Sequence, residues 1–370
     1  MSTALTREQT DLRDAVADLM AKRSPESEVR RLMETDSGYD EAVWSELAGM
    51  GLLGLVIPEE FGGAGAGAMD LAVVSEQMGR ALLCAPFLSS GVLTPYLLAA
   101  LGDPVESAQV LPRIAAGGLI ATVAFAEAGS ARPPEQPLTT ARDDGGWKLS
   151  GEKTYVLDAQ TASLFYVYAR TAGGTAIFAV DRDAAGMSVS ASETVDRTRR
   201  QGRLTLTETP ARLIGAPAAG HVALSDALDR TAVALVAEQA GGAMHAMQMA
   251  ADYARTRFQF ARAIGSFQAV KHLCVDMLLE AQSAVSAARH VAAAADAADP
   301  DLLPDLALAQ AYCSDAYVSV AANNIQVHGG IGFTWEHPAH LYLRRARTDA
   351  QILGEPSWHR ERFLQLREVC

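Results

Sequence analysis

RTRFQFARAIGSFQAVKH, residues Arg255–His272, joins two long helical patterns through a short break. The first pattern runs into the stretch, breaks around Ala261–Ser266 and restarts at about Phe267. The break sets Arg257, Gln259 and Gln268 at one elbow. A fixed cation and two amides at a helix junction suit a phosphate-bearing ligand, because Arg presents a planar donor fork that grips pyrophosphate in two places. The restarting helix adds backbone N–H groups free to meet an anion. The same residues also suit a plain helix corner whose Arg pairs with a surface carboxylate.

Outward from the elbow, three regions differ in pattern. From Leu5 to about Ala116, apolar residues recur at spacings of three and four, as at Leu12, Val16, Leu19 and Met20, which predicts helices. Ile57–Gly63 interrupts them as a loop. From about Leu119 to Leu213 the pattern shortens. Trp147–Ser150, Phe165–Ala169, Ala176–Val180 and Arg203–Thr207 read as strands between turns such as Asp143–Gly146. From about His221 to Val369 long helices return: Ala232–Arg257 and Phe267–Ala298 are rich in Ala and Leu, and Asp299–Asp301 ends the second. The expected fold is α+β and mostly α. Residues 1–117 form an N-terminal helical domain, 118–218 a middle β domain, and 219–370 a C-terminal helical domain.

Bulk properties narrow the function. The chain has 370 residues, 49% hydrophobic and 20% charged, so it builds a large core. Its net charge of −13 argues against nucleic acid or an anionic membrane as partner. No apolar run reaches the length of a membrane span. Cys84, Cys274, Cys313 and Cys370 stand far apart without ligand spacing, as expected of reduced thiols, and Cys370 is expected to be exposed. The N-terminus, MSTALTREQTDLRDAV, reads as a polar helix start and not as a signal peptide, so a cytoplasmic protein is expected.

Several motifs invite a chemical reading. Gly62–Gly67 is glycine-rich but does not match GxGxxG and follows helices, which favours a flexible loop. His328-Gly329-Gly330-Ile331-Gly332 follows a helix ending at Asn323–Gln326; its glycines allow close approach by a ligand or serve as a C-cap. His337 and His340 have the spacing of metal ligands but lack a third, so no metal is expected there. No GxSxG elbow supports a hydrolase.

Together these segments resemble the acyl-CoA dehydrogenase family over nearly the whole chain. Ile57–Gly65 (IPEEFGGAG) is similar to a recurrent family loop. Arg255–His272 resembles the family's Arg-x-x-Phe-Gly…Phe-Gln segment, and Gln326–Arg347 (QVHGGIGFTWEHPAHLYLRRAR) its Gln-x-x-Gly-Gly-x-Gly segment with the helix that follows. The resemblance implies a helical bundle, a β-barrel-like middle domain and a C-terminal four-helix bundle, assembled as dimers or dimers of dimers. It also implies FAD, an acyl-CoA thioester, and an electron-transfer flavoprotein or similar acceptor. A carboxylate takes the α-proton of the thioester while the β-hydrogen leaves as hydride for the flavin.

The resemblance assigns residues unevenly. Arg257, Gln259 and Phe260 correspond to the positions that hold the FAD pyrophosphate, Gln268 to the amide after the elbow, and Gln326, Gly329 and Gly330 to the loop against the adenosine half. In the family this arm reaches the FAD of a neighbouring subunit. Ala261 departs from the usual Gly. On the flavin-ring side, Ala124–Ser130 carries Ala126 where the family has Thr, and Tyr155–Ala159 carries Leu157 where it has a hydroxyl. The usual late base falls on Gly354, with Glu355 beside it. A minority position falls near Leu235, and Glu238 lies one turn on, along nearly the same helix face. Glu238, on an otherwise apolar helix, requires a partner or a function. Three readings follow: a subunit of a heteromeric FAD-dependent acyl-CoA dehydrogenase that lends the ADP arm, a self-sufficient homo-oligomeric dehydrogenase with Glu238 or Glu355 as base, or an FAD-free assembly protein. The first is favoured.

Overall fold

The computed structural model describes residues 4–368. The first three residues of the expected helix start, and Cys370, lie outside them. Six helices come first: α1 (Arg7–Arg23), α2 (Glu26–Met33), α3 (Glu41–Gly49), α4 (Ala68–Arg80), α5 (Thr94–Leu101) and α6 (Pro104–Ala115). Eight strands follow: β1 (Ala121–Ala124), β2 (Thr140–Asp143), β3 (Trp147–Leu157), β4 (Leu164–Thr171), β5 (Gly174–Asp181), β6 (Met187–Ala191), β7 (Gln201–Pro210) and β8 (Arg212–Ile214). Then come α7 (Gly220–Thr256), a two-residue hairpin of β9 (Phe258–Gln259) and β10 (Arg262–Ala263), α8 (Gln268–Asp296), α9 (Leu302–His328), α10 (Ala339–Asp349) and α11 (Pro356–Leu366). The fold is α+β and mostly helical. Contacts gather it into two compact units.

Unit 1 comprises residues up to 31, 68–83 and from 232 onward, and is entirely helical apart from the hairpin. Thr6 starts α1 with a capping box shared with Gln9. Asp296, at the end of α8, caps a different helix: its carboxylate accepts from Ala68 N at 2.5 Å and Met69 N at 3.0 Å, where α4 begins. α9 is the central helix, packed against α8, α10 and α11. α4 and α7 cross backbone on backbone. A Cβ on Gly79 would collide with the Glu238 carbonyl, and one on Gly241 with the Glu76 carbonyl. Gly241→Ala is therefore expected to cost about 1–3 kcal/mol of overpacking. Urea unfolding checks it; an unchanged midpoint would mean that the crossing relaxes freely.

Unit 2 comprises residues 32–67 and 84–231 and holds one mixed eight-stranded sheet, ordered β6-β7-β3-β2-β4-β5-β8, with β1 pairing β4. The β1–β4 and β2–β4 pairings are parallel and the rest antiparallel. Phe165, Tyr166, Val167 and Tyr168 of β4 and Ile177 and Phe178 of β5 are fully buried, so the sheet centre is the core of this unit. A buried ion pair pins the chain between β1 and β2 to β3: Lys153 Nζ donates to Glu127 at 2.8 Å, and Glu127 also accepts from Leu138 N and Thr139 N. Burial pushes the Lys153 ammonium down to about 8, although Glu127 pulls it the other way.

Two expectations are corrected. The break after α7 is wider than Ala261–Ser266, running from Arg257 to Phe267, and it contains the hairpin. Gly62–Gly67, expected as a flexible loop, is fastened by its backbone: Ala64, Gly65 and Ala66 donate to the carbonyls of Gly54, Ile57 and Leu55, each at 2.9 Å. Among the described residues no helix is long and apolar enough to cross a membrane. Cys84, Cys274 and Cys313 are free thiols, and burial pushes Cys313 up to about 12, which keeps it protonated and inert.

Candidate functional site

The elbow is an ordered hairpin. Phe258 pairs with Ala263 and Gln259 with Arg262, leaving Phe260 and Ala261 as the two turn residues. Both have positive φ, +53° and +61°, the signature of a type I′ turn, in which glycine is favoured. Phe267 closes the base: its ring meets Phe260 edge-on at 6.1 Å, and the Arg262 guanidinium lies 3.8 Å from its centre. Ile264 N donates to Arg257 O at 2.8 Å, which sets the start of α8 beside Arg257. Ala261→Gly relieves one left-handed alanine and is expected to stabilise the hairpin by about 1 kcal/mol. The Arg262 and Ile264 amides, which face the partner strand, should then exchange about fivefold more slowly; unchanged exchange would sink the idea.

Arg257, Gln259 and Gln268 are all exposed, and among the described residues none of their side chains makes a hydrogen bond or ion pair. The surface-carboxylate partner that a plain helix corner requires for Arg257 is not among the described residues. α8 begins without a side-chain cap and without an acid in its first turn, so its first N–H groups face outward unopposed. Phe260 is 88% exposed, far more than an aromatic ring at a finished surface.

The second segment meets the first through aromatic rings. α9 runs on past Gln326 to His328, and a 3-10 turn covers Gly329–Phe333. The His328 ring packs 4.2 Å from Tyr253, one turn before Arg257, and 4.1 Å from His337. His328 Nδ1 lies 2.8 Å from Asn324 O. Gln326 is exposed and has no side-chain partner among the described residues. The glycines divide by cause. Gly332 is packed against His328 and Ile325, and Gly329 ends α9 with φ of +65°. Gly330 has an ordinary φ and nothing within 4 Å of an added Cβ, so the chain itself gives no reason for glycine there. Space beside a bare backbone, a free Arg, three free amides and an open helix start fit a dinucleotide's phosphates and adenosine. His337 Nδ1 accepts from Ala339 N at 3.2 Å and caps α10; no group of three His, Cys, Asp or Glu suited to a metal occurs among the described residues.

The ring-side positions lie in unit 2 and are buried. Ala126 contributes its carbonyl to Thr154 N at 3.0 Å, and Leu157 its carbonyl to the Thr122 hydroxyl at 2.7 Å. Neither side chain carries a donor. Tyr155 and Asp158 both have positive φ in this segment, +54° and +52°, and Asp158 accepts from Ser89 Oγ at 2.6 Å.

The two carboxylates differ sharply. Glu238 is buried on α7 among Val233, Leu235, Val236 and Ala237, and it has a partner: Arg345 of α10 donates to it at 2.5 Å and to Leu83 O at 3.3 Å. Sequence reasoning missed Arg345; its only trace was an Arg on the apolar face of α10, beside Leu341, Tyr342 and Ala346. Glu355 is exposed at the N-cap of α11 and makes no cap hydrogen bond. Gly354 is buried with φ of +127°. An added Cβ would lie 2.7 Å from Trp358 Cε3 and 3.0 Å from His359 Nε2. Glu238 and Arg257 are 19 residues apart on one helix and its immediate end, about 28 Å at 1.5 Å per residue.

Three family models match the chain: the acyl-CoA dehydrogenase N-terminal domain over residues 6–118, the middle domain over 122–208 and the C-terminal domain over 219–363. Acyl-CoA dehydrogenase IpdE2 of Mycobacterium tuberculosis is 35% identical over 94% of each chain. Among solved structures, a Tcur3481–Tcur3483 steroid ACAD variant is 32% identical with a TM-score of 0.86 over 98% of each chain. The ChsE4–ChsE5 complex from Mycobacterium tuberculosis contains a chain 28% identical to this one, with a TM-score of 0.90 over 100% of both.

Proposed function

We propose, for a chain that belongs to the acyl-CoA dehydrogenase family of FAD-dependent oxidoreductases, that it works as the arm-lending subunit of a heteromeric acyl-CoA dehydrogenase and carries no catalytic base of its own. FAD, the family cofactor, supplies the electron acceptor. In this reading Arg257 grips the pyrophosphate, Gln259 and Gln268 donate beside it, the start of α8 faces its charge, and Gln326, Gly329 and Gly330 lie against the adenosine half. Phe260 seats the hairpin tip.

The observation that carries the reading is Gly354. Where the family's late base falls, this chain has a backbone angle only glycine adopts readily, walled by Trp358 and His359. The other candidates add support: Glu238 is committed to Arg345, and Glu355 points into solvent. About 28 Å of helix separates Glu238 from Arg257, so the dinucleotide held by the arm is one whose reacting end Glu238 does not approach. That favours an arm serving another chain's FAD. The apolar side chains left exposed along α8, Val275, Leu278 and Leu279, supply a face for that chain. Two similar solved structures are named as pairs, ChsE4–ChsE5 and Tcur3481–Tcur3483, and one is named a steroid ACAD; a ring-bearing acyl-CoA is accordingly the first substrate to try. An electron-transfer flavoprotein is the acceptor to try with it.

The test is to purify the chain alone and co-expressed with a second acyl-CoA dehydrogenase-family chain, then measure FAD per chain and acyl-CoA-dependent dye reduction. Activity is expected only in the pair, with Arg257→Leu in this chain lowering FAD occupancy of the complex. Full FAD occupancy and dye reduction by this chain alone would overturn the reading. Glu238→Gln and Glu355→Gln would then identify the base.

A further inference from the structure

We propose that unit 1 carries a second small-molecule site, for a monocarboxylate with an apolar tail, in the cavity bounded by α1, the α1–α2 turn, the end of α4, α7 and α10. The cavity measures about 500 Å³. Its position is independent of the flavin reading. Every residue lining it belongs to unit 1, and none is among the arm or base positions.

The space is a concave cleft open to solvent on one side, with buried Met20, Leu82 and Leu341 at its floor, the usual form of a small-molecule site. Its walls are apolar and partly cut back to alanine: Met20, Leu82, Met249 and Leu341, with Ala21 and Ala81 where larger residues would fill it. At about 30 Å³ per heavy atom, the share of one water, the space takes a ligand on the order of 16 heavy atoms.

One end is polar, and its groups are uncommitted. Gln77 is only 6% exposed, yet its amide makes no hydrogen bond among the described residues. Its amide is not sealed from the cleft, so it is available to a ligand there. His245 lies stacked on Tyr342, with ring centres 5.1 Å apart and planes 17° from parallel, and its ring nitrogens likewise have no partner among the described residues. Burial pushes this imidazole down to about 4, so near neutral pH it offers one donor and one acceptor. Arg80 donates to Gln248 at 2.6 Å but faces no carboxylate among the described residues. The acid at the rim, Glu26, is already paired with Arg30 at 2.7 Å. The polar end therefore carries one unanswered positive charge beside an amide and a neutral imidazole. An anionic head with two acceptor oxygens matches that set. Tyr342 is fixed by its hydroxyl to Arg80 O at 2.7 Å, and Ser24 to Ala81 O at 3.0 Å, so the frame is preorganised.

Titration calorimetry of the chain with decanoate and with decanol tests the assignment. Decanoate is expected to bind saturably with a sub-millimolar Kd, and decanol about tenfold more weakly. Arg80→Met should weaken decanoate about tenfold and leave decanol unchanged. Ala21→Phe, which fills the cavity, should abolish both; if that variant does not fold, Ala81→Leu takes its place. No saturable heat with decanoate overturns the site. Equal binding of decanol and decanoate overturns the carboxylate head. Undiminished binding to the filled variants overturns the location.

Discussion

Arg345→Met is expected to lower the unfolding free energy by about 3–5 kcal/mol, the usual result of stripping one partner from a buried ion pair. The site shows why. α7 brings Glu238 into an apolar stretch of buried Val233, Leu235, Val236 and Ala237, where an unpaired carboxylate has neither water nor cation. α10 answers it with Arg345 Nη1 at 2.5 Å, while Nη2 reaches Leu83 O at 3.3 Å, so one side chain ties the residues after α4, α7 and α10 together. Methionine keeps most of the volume and removes both donors. The double variant Glu238→Leu with Arg345→Met deletes the charge along with its partner and should recover most of the loss, because an apolar replacement of a buried pair is often neutral or better. Urea unfolding of the parent, both single variants and the double variant gives the coupling. A loss below about 1 kcal/mol in Arg345→Met would mean that Glu238 is not held by this pair.

That pair also marks what sequence reading can and cannot reach. A carboxylate on an apolar helix face announces that it requires a partner or a function. It does not say which, because the partner lies 107 positions away on another helix, and nothing in the spacing along α7 points to it. Elements with strong periodicity, such as α8, β4 and β5, were legible within a few residues, whereas α7 begins twelve residues before the Ala232 at which its apolar run becomes plain. The β9–β10 hairpin was not, since its strands are two residues long and its turn puts Phe260 and Ala261 where a glycine would have signalled it. The sequence marks Gly330 and Gly332 alike as places for close approach; the space beside Gly330 is open and Gly332 is packed against His328 and Ile325, a difference that spacing cannot carry and only the surroundings of each Cβ reveal. The α1–α10 cavity left no trace in the sequence, because Gln77, Arg80 and His245 fall on two helices with no shared motif.

Gly354→Glu is expected to destabilise the chain by about 2–6 kcal/mol and to confer no dehydrogenase activity on it. Two effects add. The position has φ of +127°, where a residue with a side chain is strained by about 1–3 kcal/mol. A Cβ there meets Trp358 Cε3 at 2.7 Å and His359 Nε2 at 3.0 Å, and because His359 is buried it has little room to yield, adding about 1–3 kcal/mol of overpacking. Leu353, the preceding residue, already has φ of +63°, so the turn has no slack to pass the strain along. A base must be held within hydrogen-bond reach of the proton it takes, and a glutamate that displaces Trp358 or His359 has no fixed direction. Gly354→Ala separates the parts: it meets the same φ and the same first contact, so it should show most of the destabilisation without any carboxylate. The measurement is paired, urea unfolding beside acyl-CoA-dependent flavin reduction by the chain loaded with FAD. A Gly354→Glu chain as stable as its parent and newly able to reduce flavin would show that the turn opens readily. The glycine would then be a recent loss of the base in a site otherwise ready for one, and not the mark of a subunit whose backbone has closed over that position.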